Sequence, residues 1–279
     1  MPPPPILFDP DLLARRRARA ERMPEDFLRR AVAEELSERL KEVNRSFRAP
    51  AIIGPRGALW AEALDLAGAR LVPDREILDL EPEAHDLVIH ALALHWANDP
   101  VGQIAQARRA LRPDGLFLGA LFAGETLREL REALSHAEIE VLGGLSPRVA
   151  PMGEIRELGG LLQRAGLALP VADGLRFDVT YPDPFRLMRD LRAMGETGVM
   201  VDRLRRPTPR AVFARAAALY AERFALPDGR LPATFEVVVL TGWAPAPQQQ
   251  KPLRPGSARV RLADALGVPQ RNAGEEPGG

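Results

Sequence analysis

The sequence predicts an α/β fold built on a mostly parallel open sheet, and three local features carry that expectation. Asp86 to Leu94 is rich in Val, Ile, Leu and Ala yet too short for a free-standing helix, so it reads as a buried strand. Ile104 to Leu111 keeps helical spacing, with Ile104, Ala107 and Leu111 on one side and Arg108, Arg109 and Arg112 on another, and it stops at Pro113, whose ring cannot continue a helix. Asp114-Gly115 then turns the chain into a second apolar run, Leu116 to Phe122. Strand, helix and strand in so short a compass make a βαβ unit, with parallel neighbouring strands and a right-handed crossover. Open sheets of this kind bind ligands beyond the carboxyl ends of their strands. His95, Trp96, Asn98 and Asp99 follow one strand, and Gly124, Glu125 and Thr126 follow the other.

The remaining elements arrange themselves around that unit. Met1 to Pro10 reads as an extended, flexible start, and Asp11 through Leu40 is helical by pattern with a break near Pro24. Arg15, Arg16, Arg17 and Arg19 form a basic cluster there, read either as a solvated helix face or as a contact for a protein or lipid partner. Residues 1–49 are thus expected to form an N-terminal helical extension. Ala51-Ile52-Ile53 is a short strand, Gly54-Pro55-Arg56-Gly57 a turn, Ala58 to Ala67 a helix ended by Gly68, and Ala69 to Val72 a second strand. Pro73 to Glu83 is acidic and loop-like. After Glu125 a long helix reaches Leu142, the loop GGLSPRVAPM follows, and a helix from Gly153 to Ala165 is capped by Gly166. Leu167 to Val171 and Arg176 to Tyr181 read as two short strands, and helices near Pro184 to Met194 and Thr208 to Phe224 suggest a helical lobe, about residues 182–226, inserted in a domain spanning 50–244. Thr234 to Trp243 is strongly β-like, and residues 245–279, rich in Pro, Gln and Gly, are expected to be disordered.

Composition narrows the chemistry. The chain has 279 residues, 46% hydrophobic and 27% charged, enough for one large core or a core with an inserted lobe. Its formal net charge is zero, so no bulk field recruits nucleic acid. Cysteine is absent, which removes disulfides, thiolate nucleophiles and Cys-ligated metal centres. The four histidines, His85, His90, His95 and His136, show no paired-ligand spacing, so no metal site is expected. No apolar run approaches the ~20 residues of a membrane span, and the start lacks a charged signal region, so a cytoplasmic protein is the expectation.

Several longer phrases carry a resemblance: LFDPDLLARRRARA, DLVIHALALHWAND, LRPDGLFLGALFAGETLRELR, GGLSPRVAP, YPDPFRLMRDLRAMGE, LPATFEVVVLTGW and, in the tail, RPGSARV. On these the chain resembles class I S-adenosylmethionine-dependent methyltransferases. Within them it is most similar to the complex I assembly factor 5 family and its bacterial relatives, and more distantly to the malonyl-carrier-protein methyltransferases of biotin synthesis. The resemblance implies a Rossmann-like sheet, S-adenosylmethionine as cofactor, and a protein partner such as a respiratory complex subunit.

The cofactor turn departs from the pattern. The superfamily ends its first strand in D-x-G-x-G-x-G, because the cofactor lies against the backbone and leaves no room for side chains. Here Ala51 stands at the acid, Ile53 at the first glycine and Pro55 at the second, so the site is expected to be degenerate. Gly54, Gly57, Asp74, His95 and Trp96 remain its candidate residues, with Asp74 in the place of the ribose acid. Only eleven residues, Arg75 to His85, separate Asp74 from the next strand, too few for the helix and strand expected there, so one βα unit of a seven-strand-like sheet is shortened. Glu125, Ser146, Arg148, Tyr181 and Glu196 are candidate substrate or partner residues, with Arg148 suited to receive a carboxylate. Glu125 and Thr126 also read simply as a helix cap, and no catalytic group is identifiable from spacing. The reading that follows is a protein-modifying or binding accessory factor. The family is associated with hydroxylating an arginine on a respiratory complex I subunit, and an active methyltransferase is the alternative.

Overall fold

The computed structural model describes residues 6–249; the proline-rich start and the RPGSARV phrase of the tail lie outside the described residues. Helices α1 (Pro10–Ala20) and α2 (Phe27–Glu42) precede β1 (Pro50–Ile53), α3 (Gly57–Ala63), β2 (Arg70–Val72) and β3 (His85–Ala91). A 3-10 turn at Leu94–Trp96 leads to α4 (Pro100–Ala110), β4 (Leu111–Ala123), α5 (Arg128–Leu142) and α6 (Ile155–Arg164). Next come β5 (Ala168–Tyr181), α7 (Pro184–Ala193), α8 (Arg210–Phe224) and β6 (Leu231–Trp243). Three helices start on the same dipeptide. Asp9-Pro10, Asp99-Pro100 and Asp183-Pro184 open α1, α4 and α7, each Asp accepting from the backbone N–H three residues on while Pro sits where no intrahelical donor is needed.

The six strands run in the order β2-β1-β3-β4-β6-β5. The first four are parallel, and β6 runs antiparallel to both β4 and β5. The sheet therefore has six strands rather than a seven-strand set, and residues 74–84 contribute neither helix nor strand, as the short spacing after Asp74 requires. One apolar layer places Ile52, Leu87, Ile89, Leu118 and Val237 under α2, α5 and α8; the other packs Ile53, Val88, Phe117 and Leu240 against α4 and α6. Tyr220 of α8 belongs to the first layer and donates its hydroxyl to the Pro232 carbonyl at 2.7 Å.

Three local expectations are corrected. Gly68 does not end α3. That helix stops at Ala63, Asp65 takes the left-handed conformation, and Leu64 and Leu66 turn into the core, leaving Gly68 in the turn before β2. Residues 167–171 and 176–181 are not separate strands, because the backbone between them stays paired to β6, with Asp173 opposite Val239 and Gly174 opposite Val238. Asp114-Gly115 is not the turn between helix and strand. The helix ends at Ala110 and pairing begins at Leu111, so Asp114, at φ 63°, is a kink within β4.

Phe117 is fully buried and Ile77 is 81% exposed. Phe117→Ala should lose about 3–5 kcal/mol in urea denaturation, the cost of emptying a packed aromatic site. Ile77→Ala should stay within about 0.5 kcal/mol of wild type.

Candidate functional site

The carboxyl ends of β1, β3 and β4 open toward two neighbouring regions. Over β1 and β2, the turn after Ile53 is closed by side chains. Gly54 sits at φ +129°, and a Cβ there would come within 2.6 Å of the Ala91 carbonyl oxygen, so the glycine is explained by close approach to β3. Gly57 packs against Leu71, where an added Cβ would lie 3.1 Å from its Cδ2. Ile53 is fully buried. Asp74 receives Arg17 of α1, whose Nη1 lies 2.6 Å from Oδ1, and both side chains are only 12% exposed. Arg56 turns to Asp26 of α2 at 2.6 Å. The recess left among Arg17, Arg29, Pro55 and Arg56 measures about 10 Å³. That is the space of about one water molecule. In this arrangement the recess between α1 and the turn after β1 is filled by the chain's own side chains.

The N-terminal segment reaches this place by specific contacts. Asn98 accepts from the Leu7 and Phe8 N–H groups at 2.8 and 2.9 Å and donates to the Phe8 carbonyl at 3.0 Å. The Phe8 ring stands edge-on to Trp96 with centroids 5.2 Å apart.

Beyond β3 and β4 lies a cavity of about 190 Å³. His95 and Trp96 from the 3-10 turn, Phe122 at the end of β4, Thr126 after it, Arg148, Met188 and Arg192 of α7, and Glu196 all line it. Glu196 sits at its base with a 7% exposed side chain. It accepts from Trp96 Nε1 at 2.6 Å, meets His95 Nε2 at 3.1 Å and has Arg29 Nη2 3.9 Å away. Burial works to raise the Glu196 pKa, but the charge and hydrogen bond of His95, with Arg17 and Arg29, outweigh it and hold the carboxyl at about 2.

Arg148 does receive a carboxylate, but from within the chain. Its Nε and Nη2 reach Glu138 at 3.0 and 2.7 Å, and the Ser146 hydroxyl donates to the same group at 2.7 Å. Burial pushes the Glu138 pKa up, and the bonds from Arg148 and Ser146 bring it below its ordinary value. Thr126 is satisfied by the Ala123 and Glu236 backbone. Glu125 stays on the surface, 3.9 Å from Arg128 and outside the cavity lining. Tyr181 is 4% exposed with no partner for its hydroxyl among the described residues, and it lies outside the cavity too. Burial raises its pKa. The cavity thus brings together His95, Trp96, Arg148 and Glu196, while Gly54, Gly57 and Asp74 lie outside its lining. Arg29 and Arg192 were not legible as site residues. The one available signal for Arg192 was its spacing four residues after Met188, on the same face of α7. Among the described residues no cluster of metal-ligating side chains occurs, and no helix is long and apolar enough to cross a membrane.

The folded pKa of Glu196 lies below the ordinary 4.5, so its stabilisation is complete above pH 4.5 and lost as pH falls toward about 2. Glu196→Gln should cost about 3 kcal/mol at pH 7, and the gap to wild type should narrow between about pH 4.5 and 2. Equal urea midpoints at pH 7 would show that this carboxylate does not hold its neighbours.

A family model described as "Methyltransferase domain" matches residues 59–119. The chain is 35% identical over 266 residues to the mitochondrial arginine-hydroxylase NDUFAF5 of Danio rerio, covering 86% of this chain and 82% of that one. It is 33% identical over 289 residues to the Homo sapiens protein of the same name, covering 92% and 83%. A malonyl-[acyl-carrier protein] O-methyltransferase of Halorhodospira halophila is 32% identical over 283 residues, covering 91% of this chain and 93% of that one. Among solved structures, the YcgJ protein of Bacillus subtilis aligns with 76% of this chain and 99% of its own, at 14% identity and a TM-score of 0.46. With these identities sustained over most of both chains, the protein belongs to the family of the NDUFAF5 arginine-hydroxylases.

Proposed function

We propose that this chain is an accessory factor of the respiratory-complex assembly kind, one that binds a protein partner and has given up S-adenosylmethionine while keeping the methyltransferase sheet. The observation that supports it is Arg17 on Asp74: the acid in the ribose position is held by the chain's own guanidinium, beside a fully buried Ile53 where the superfamily has glycine. A ligand entering there must break a buried ion pair and displace α1, and breaking such a pair costs ~3–5 kcal/mol. The relatives are named for arginine chemistry. In this chain the cavity's carboxylate, Glu196, is already taken up by Arg29, His95 and Trp96, which favours a binding role over acting on a guanidinium inside the cavity.

The partner face in this reading is the surface from about residue 146 to 224, which carries Ser146, Arg148 and Glu196. Arg148 and Glu196 act there as internal supports, because their polar atoms are committed to their own chain. Glu125 and Tyr181 stand apart from the cavity, and the cytoplasm is the compartment this reading assigns. The match of residues 59–119 to a methyltransferase domain favours a second reading, an active methyltransferase in which α1 leaves Asp74.

Calorimetric titration separates the two. The wild-type protein should give no saturable heat and no thermal upshift with S-adenosylmethionine, whereas a ligand at 100 times its dissociation constant would stabilise the fold by ~2.7 kcal/mol. Micromolar binding accompanied by methyl transfer would restore the second reading.

A further inference from the structure

The 190 Å³ cavity has a composition and a charge balance that together specify a ligand class. Its walls are apolar, with Phe122, Leu130, Leu134, Met152, Met188 and Phe235 among them. A dry apolar cavity of ~150 Å³ already holds a benzene ring, so this one has room for about six to eight carbons.

The ionisable groups in the lining divide into compensated and uncompensated. Glu196 is met by Arg29, His95 and Trp96, and Arg148 by Glu138. Arg192 remains. It is exposed on α7, and its guanidinium makes no ion pair among the described residues. A second cation stands beside the same rim: Arg16 of α1 donates to the carbonyl of Gly198, itself a lining residue, and has no carboxylate within ion-pair distance among the described residues. Burial lowers the Arg16 pKa first, and the charges of Arg203 and Arg192 lower it further against the opposing pull of Asp9. Arg203 is paired with Asp9 at 3.4 Å and Asp9 also acts on Arg16, so Arg192 carries the unbalanced charge at the mouth, with Arg16 beside the same rim. An exposed arginine such as Arg192 would ordinarily be solvated and nothing more, but Arg16 is half-buried and tied to the lining at Gly198. Here they crowd one rim of a deep apolar cavity, where a cationic ligand head would be repelled and an anionic one would relieve the repulsion.

We propose that this cavity binds an amphiphile, with an apolar body of about six to eight carbons in the pocket and an anionic head, carboxylate or phosphate, at Arg192 and Arg16. The proposal does not rest on the reading above. Asp74 and Arg17 lie outside the lining, so saturable S-adenosylmethionine binding would sink that reading and leave this one standing.

The test is calorimetry on the full chain with octanoate, octyl phosphate, octanol and octylamine. Octanoate or octyl phosphate should bind saturably at one site, with octanol and octylamine at least about tenfold weaker, and whichever anion binds better identifies the head. Arg192→Gln, at an exposed position, should lower affinity for the anionic probe about tenfold while leaving the octanol heat and the ligand-free melting temperature unchanged. Leu134→Trp should abolish binding of every probe by filling the pocket; if it lowers the melting temperature, competition between octanoate and octanol on wild type replaces it. Octanol binding as tightly as octanoate, an Arg192→Gln variant with undiminished octanoate affinity, or no saturable binding by any probe would each overturn the proposal.

Discussion

Three segments remote in sequence meet at Glu196: Arg29 comes from α2, His95 and Trp96 follow β3, and Glu196 follows α7. Beside it run the Arg17–Asp74 and Arg56–Asp26 pairs, so three arginines face three carboxylates over the carboxyl ends of the central strands. Withdrawing charges from water is costly, and such a cluster stabilises little against an apolar replacement; what it does is make one arrangement much better than its near alternatives. That matters most for α1. Only Leu13 and Ala20 of that helix are buried, too little apolar surface to dock it securely. Its position depends instead on Asp9 and Arg16, bonded to the loop between α7 and α8, and on Arg17, bonded to the loop after β2.

The parts of the fold legible in the sequence were those governed by local physics. The unit β3-α4-β4 announced itself through an apolar run, a helical period and a proline stop, and the short stretch after Asp74 excluded another helix and strand by length alone. The misread parts depended on distant partners. β5 is one strand because β6 pairs across Asp173-Gly174, and Gly68 is bypassed because Leu64 and Leu66 find the core first.

The site shows the same division. His95 and Trp96, read as cofactor residues, and Arg148 and Glu196, read as substrate or partner residues, are gathered by the fold around one cavity. The pairing of Arg17 with Asp74 spans 57 residues and has no local signature. Arg192 stands out only because it lacks a partner, which is a property of the surrounding space and not of neighbouring residues. Gly54 and Gly57 read as the remains of a ligand-contacting loop, yet a strand carbonyl and Leu71 account for the absence of a side chain at each.

The order of strands in the sheet bears on how the chain is made. Among the described residues β5 pairs only with β6, and β6 is also the antiparallel partner of β4, yet β6 is the last of these strands in sequence. During synthesis the 14 residues of β5 must therefore wait, unpaired along both edges, until residues 231–243 have left the ribosome. Exposed strand edges template association between chains. A nascent or prematurely ended chain that stops in α8 would carry an almost complete parallel half together with a long open ribbon, the form in which this protein is most vulnerable to aggregation and most dependent on chaperones.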